Sequence, residues 1–302
     1  MLAIARYALK SPFHASTIVG FLAILSLFVP LVSILSGAIV GLIILTQGLL
    51  SGARALLISV VGITVVSYLV TQSPELGITI GLVQWIPIVV LAEILRRTRS
   101  MFFTLVSGMV IAMFVVLAQY IFWPDIDKLW AEYLQLMFQG VDMGQQGLEM
   151  DQIQAGMQDL VHWMVMVLVA VMYSTFIGTL MASRWFQARL AGSEGFRDEF
   201  YTIKLGRGAA IATILLAVIS FMLNQDMLIA MLMVMLATFL YQGLAIVHNW
   251  SKRSKRKGWL VLLYVMMVIF PQVVAATAFL GVIDNWTDFR ARLRAKNGNQ
   301  SE

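Results

Sequence analysis

The residues that could do chemistry in this 302-residue chain are few, and none forms a recognisable reactive group. There is no cysteine, so disulfides, thiolate nucleophiles and Cys-based metal sites are all excluded. His14, His162 and His248 fall at the ends of apolar runs, far apart in sequence and mostly on opposite sides of the topology derived below. No His-x-x-Glu-His, Gly-x-Ser-x-Gly or phosphate-cradling Gly-x-x-x-x-Gly-Lys pattern occurs. Ionisable groups deep in a membrane are costly and are kept only for function. The apolar runs here hold almost none. Glu93 and Arg54 lie near run ends, within snorkelling reach of water, and Glu93 stands one helical turn from Arg96 and Arg97. The expectation is a protein that is not an enzyme and needs no cofactor or metal.

The polar groups that remain inside apolar runs are uncharged. Gln84 and Trp85 precede Pro87, Gln119 adjoins Tyr120, Tyr173 begins a Tyr-Ser-Thr run, and Gln272 follows Pro271. Gln84, Trp85, Gln119, Tyr173 and Gln272 are therefore the candidate ligand-binding residues. A cavity lined by amides and aromatic rings without charge suits a small neutral or zwitterionic solute. The competing reading is plain: such side chains commonly hydrogen-bond between helices, for about 1 kcal/mol each, and bind nothing.

The elements that must position these groups follow from composition. Hydrophobic residues make up 60% of the chain and charged residues 12%, against about 25% charged in a soluble domain. Mean hydropathy is +0.85. The expected fold is all-α integral membrane, a polytopic bundle of eight or nine transmembrane helices forming one domain over 1–302 in a lipid bilayer. A span needs about 20 apolar residues, and candidates run over 14–29, 31–50, 55–71, 77–95, 101–122, 161–182, 208–223, 227–247 and 258–282. No cleavable signal is evident before Pro30, so the first run serves as an uncleaved insertion signal. The stretch Pro30–Arg54 repeats small residues four apart at Gly37–Gly41 and Gly48–Gly52. Helices in lipid associate by close backbone approach at such residues, which makes this the expected central packing segment.

Charge sets the orientation. Arg96, Arg97 and Arg99 form one basic cluster, Arg184, Arg189, Arg197, Lys204 and Arg207 a second, and Lys252, Arg253, Lys255, Arg256 and Lys257 a third. All three fall in gaps on one side, joined by Arg6 and Lys10, and basic turns mark the cytoplasm. The N-terminus is thus expected in the cytoplasm. Segment 123–160, with seven acidic residues against Lys128 alone, is an extracytoplasmic amphipathic insertion. Met143, Met150, Met157 and Met164 recur there every seven residues. Seven helical residues separate the sulfurs by about 10.5 Å, too far for one copper ion, so the stripe reads as packing. The run broken at Pro271 has two halves of about a dozen residues, too short to cross singly. With nine spans, the basic amphipathic tail 284–302 would lie outside, against the charge rule; a re-entrant pair at Pro271 would bring it back. The basic turn WSKRSKRKGW reads as a topology determinant facing anionic lipid, flanked by Trp250 and Trp259, and nucleic acid is an unlooked-for partner.

The ending FLGVIDNWTDFRARLR, with Leu280, Gly281, Asp284, Phe289 and Arg290, resembles that of the YybS-like family of uncharacterised bacterial multi-pass membrane proteins. The passage PLVSILSGAIVGL…QGLLSGARALL is similar to that family too, and more distantly to the S-components of energy-coupling-factor transporters. The resemblance implies a bacterial inner-membrane protein of unassigned role, S-component-like in its N-terminal half. S-components have six spans, fewer than here, and dock a partner through small residues of their first helix, a spacing that Ser16 and Gly20 fit loosely. Two functions are expected. One is a non-enzymatic subunit that binds or transports a small solute. The alternative is a membrane scaffold or assembly factor that meets a membrane or cytosolic protein partner through loops 183–207 and 249–257 and its tail.

Overall fold

The computed structural model describes residues 1–26, 28–138, 150–254, 258–287 and 289. Every regular element among them is an α-helix: α1 (Leu2–Ala8), α2 (Pro12–Ser26), α3 (Val32–Gln47), α4 (Leu49–Thr71), α5 (Glu75–Thr98), α6 (Met101–Phe122), α7 (Ile126–Phe138), α8 (Met150–Leu190), α9 (Gly195–Tyr201), α10 (Arg207–Leu223), α11 (Asp226–Ser254), α12 (Gly258–Ile269) and α13 (Pro271–Thr287). Five of them, α4, α5, α6, α8 and α11, are long and apolar enough to cross a membrane; α2, α3, α10 and α12 are shorter and apolar. The expected all-α membrane architecture is borne out. The chain forms two compact units: unit 1 is Met1–Gly108 with Ser174–Lys204, and unit 2 is Met109–Tyr173 with Leu205–Glu302.

Unit 1 is built around α3. Ser36 through Leu45 are all buried, as expected of a central packing segment. A Cβ added to Gly37 would stand 2.8 Å from Thr179 Cγ2, and one added to Gly41 3.0 Å from Ser183 Cβ and nearer still to its Oγ. Only the missing side chains let α3 lie this close to the end of α8. Hydrogen bonds fix the register. Ser36 Oγ donates to Val19 O of α2 at 3.0 Å and accepts from Trp85 Nε1 of α5 at 3.3 Å. Ser59 Oγ of α4 lies 3.3 Å from Ser16 O of α2.

The second glycine pair acts differently from the expected stripe. Gly48 has φ 90° and ψ 172°, a backbone conformation open only to glycine, and it separates α3 from α4. Gly52 then lies across this turn, against the Ile44 side chain.

In unit 2 the closest approach joins α11 and α13. A Cβ on Gly281 would stand 2.9 Å from Gly243 N and closer to Phe239 O, while one on Gly243 would meet Thr277 O. The apolar run 258–282 is broken at Pro271, which opens α13 because proline tolerates the first helical position and not the interior. The C-terminal part of the acidic insertion is the start of α8, a continuous helix of 41 residues, about 60 Å long and twice the thickness of a hydrocarbon core. α7 is amphipathic and exposes Leu129, Tyr133 and Leu136. Of the methionine stripe, Met164 is half-buried; Met143 and the side chains of Met150 and Met157 lie outside the described residues, as does most of the basic tail.

The crossings make a prediction. Gly281→Ala forces backbone apart and should cost about 1–3 kcal/mol. Gly41→Ala should cost less, because a serine side chain can turn aside, and Gly62→Ala, with open space around it, should cost nothing. Thermal denaturation in detergent checks the ranking.

Candidate functional site

The five candidate ligand-binding residues divide between the units. In unit 1, Gln84 Nε2 donates to Ser33 O at 2.9 Å, and Trp85, 1% exposed, spends its indole N–H on Ser36. Both tie α5 to α3. In unit 2, the buried Tyr173 hydroxyl lies 3.2 Å from Thr238 Oγ1 of α11. Gln272 is exposed at the start of α13. Gln119 is buried and its Nε2 lacks a hydrogen-bond partner, which leaves it a buried amide of the set with a donor to spare.

A polar cavity lies elsewhere, at the end of unit 1 where α3 and α5 finish. Its volume is about 580 Å³, and its walls are Leu45, Thr46, Gln47 and Gly48 from the α3–α4 turn, Leu95, Arg96 and Arg99 from the end of α5, Arg184 and Gln187 from α8, and Glu199 from α9. Two basic clusters that are far apart in sequence therefore meet here. The N-terminal segment reaches the same end, since Gln47 Nε2 donates to Leu9 O at 2.8 Å.

The guanidinium groups are not equally engaged. Arg184 is engaged on every nitrogen: Nε and Nη2 pair with the Glu199 carboxylate, and Nη1 donates to Gln187 Oε1 at 2.9 Å. Gln187 in turn donates to Leu45 O, pinning α8 to α3. Arg96 pairs through Nε and Nη2 with Glu93, each at 2.8 Å. Its Nη1 is left facing Gly48, 3.8 Å from where a Cβ would stand. Arg99 caps α5 with φ 51° and has no ion pair among the described residues. α9 carries Glu199 and is braced by stacking of Phe196 on Phe200, with centroids 6.1 Å apart. Its Tyr201 is half-buried, and loss of water around the hydroxyl pushes that pKa up.

Unit 2 has a polar knot of its own. Asp284 is fully buried; its Oδ2 accepts from Gln242 Nε2 at 3.1 Å and its Oδ1 from Phe289 N at 3.0 Å. Gln242 Oε1 accepts from Leu205 N at 2.8 Å, and Asn285 Oδ1 from Gly206 N at 2.9 Å. The segment entering α10 is thereby fastened to the end of α13. At the start of α11, His162 of α8 stands between Asp127 (Nδ1 to Oδ2, 3.1 Å) and Asp226 (Nε2 to Oδ1, 3.5 Å). Sequence reading placed Asp284 beyond the last span and did not foresee its burial. The signal available was only the residue itself, an acid beside an amide after an apolar run.

These features define an all-helical, multi-pass membrane protein with polar clusters at helix ends. The chain belongs to the family described as predicted membrane protein (DUF2232), whose model matches residues 17–285 and agrees with the resemblance drawn from its early glycines and its ending. No match was found among curated proteins or solved structures.

Gln242→Ala should strand the Leu205 amide and remove one hydrogen bond from Asp284, at a cost of about 1–3 kcal/mol. Limited proteolysis should then cut faster between residues 202 and 206, and unchanged rates would show the knot to be dispensable.

Proposed function

We propose that the chain is a non-enzymatic membrane protein that binds a small ligand in the arginine-lined cavity of unit 1, as a solute-binding or transport subunit would. One observation carries this reading. Around that cavity Arg99 and one nitrogen of Arg96 keep unspent donors, whereas Gln84, Trp85 and Tyr173 already hold helices together. A ligand site needs convergent polar groups that the fold has not consumed. The scaffold reading draws support from α9, which the Arg184–Glu199 pair fixes against α8 as a formed surface.

The proposal includes an orientation in a bacterial inner membrane, with the cavity, the N-terminus and the basic turns all on the cytoplasmic side. It also takes α12 and α13, of 12 and 17 residues, as a re-entrant pair behind eight spans. The Gly206–Asn285 bond supports this, because it sets the end of α13 beside the start of α10. The basic tail then obeys the charge rule.

A metabolite library should yield ligand-dependent thermal stabilisation of the purified protein. Thr46→Trp, at an exposed position on the cavity wall, should abolish it, and Gln119→Ala and Gln272→Ala should preserve it. The reverse pattern would move the ligand to the amides, and no stabilisation at all would remove the binding reading. Topology is checked separately: reporters fused after residue 287 and within 191–194 should face the same compartment, and opposite faces would restore nine spans.

A further inference from the structure

Building on the cavity reading above, we infer that the cavity recognises a phosphate group, through the Arg99 guanidinium and the free Nη1 of Arg96 at the end of α5. Arg96 and Arg99 are three residues apart and line one wall. Arg184, the third arginine, is neutralised by Glu199 and acts as a strut: all three of its nitrogens are engaged in fixing α9 and Gln187. The surplus positive charge of the lining therefore lies on the α5 side.

The chemistry of the free donors selects the anion. A guanidinium fork suits oxyanions bidentately, and arginine is the usual choice where carboxylate or phosphate is recognised. A carboxylate brings two oxygens and a single charge, which one fork satisfies. A phosphate monoester brings three terminal oxygens around a tetrahedral centre, and a diester two terminal and two bridging ones, so the Arg99 fork and Arg96 Nη1 can reach it from different directions. Gly48 removes the obstacle on the facing wall. Its conformation excludes other residues, and its bare backbone leaves Arg96 Nη1 uncovered. The volume of about 580 Å³ exceeds what a free ion needs, and Leu45 and Leu95 give the remainder an apolar border. A phosphate with a carbon-bearing substituent fills such a space: a phospholipid headgroup entering from the bilayer edge, or a soluble phosphate ester from the aqueous side.

The test uses the full-length protein in neutral detergent at constant ionic strength. Inorganic phosphate, glycerol phosphate and short-chain phosphatidylglycerol are titrated while thermal unfolding is followed, with chloride and a short-chain diacylglycerol as controls. The expected result is saturable stabilisation by one or more phosphate probes and by neither control, with apparent affinity about tenfold weaker in Arg99→Ala and unchanged in Arg189→Ala, which sits over Trp185 outside the cavity. Arg99→Lys should recover part of the loss. Saturation by phosphatidylglycerol alone identifies a lipid headgroup as the source, and saturation by glycerol phosphate identifies a soluble ester. Equal affinity in wild type and Arg99→Ala, or stabilisation by chloride to the same degree, overturns the inference. A neutral compound that stabilises wild type but not Thr46→Trp, with phosphate inert, overturns the phosphate class alone and leaves the cavity reading standing. Phosphate binding that survives Thr46→Trp overturns both.

Discussion

Close approach of helix backbones at glycine is the interaction on which each unit depends. Lipid tails are as apolar as leucine, so burying leucine between helices gains little in a bilayer, and dispersion contact at short range has to hold them together. In unit 1 that contact is α5 against α4, where Gly77 meets the Thr64 backbone, and Gly37 and Gly41 let α3 meet the Thr179 and Ser183 side chains of α8; in unit 2 it is α11 against α13 at Gly243 and Gly281. The hydrogen bonds are consequences of this proximity. Ser36 can reach both α2 and α5 only because α3 sits at the middle of its unit. Gln242 can reach Leu205 and Asp284 together only because α13 crosses α11 one helical turn away.

The polar groups then sort by where water is available. Inside the helices most are neutral and engaged, Thr64 Oγ1 and Gln119 Nε2 excepted, and the buried Asp284 is held by hydrogen bonds, which lowers the cost of burial. Charges gather at helix ends. The arginines collect where α3 and α5 finish, and their positive charge complements the negative ends of those helix dipoles. Asp127, Asp226 and His162 gather at the start of α11. Charged donors that the fold has not consumed thus stand at helix ends, and Gln119 Nε2 is a spare donor in an interior.

Much of this architecture was legible in the residues themselves. Runs of about 20 apolar residues found the helices, Pro30 and Pro271 marked their breaks, and the spacing of Gly37 and Gly41 announced a crossing before any partner was known. The same spacing misled at Gly48 and Gly52, because a glycine needed for close packing and a glycine needed for a positive φ look alike in a sequence. Gly243 and Gly281 gave no repeat to notice, since each stands alone on its helix and only folding pairs them. The cavity was hidden for a similar reason. Arg96, Arg99 and Arg184 each read as topology signals, and their meeting depends on contacts across nearly 90 positions, such as Arg96 to Arg184 around one space. Gln84 and Trp85 were recognised as unusual, but their partners in α3 lie about 50 positions earlier.

The break at Pro271 has a consequence for cellular geography. Without it, residues 258–287 could form one rod of about 45 Å, ample to traverse the hydrocarbon layer. The cations that follow would then emerge on the face of the membrane opposite to the one the re-entrant proposal gives them. On the proposed re-entrant topology, a single pyrrolidine ring, by denying one amide hydrogen to the preceding turn, decides which compartment's chemistry the end of the polypeptide can meet.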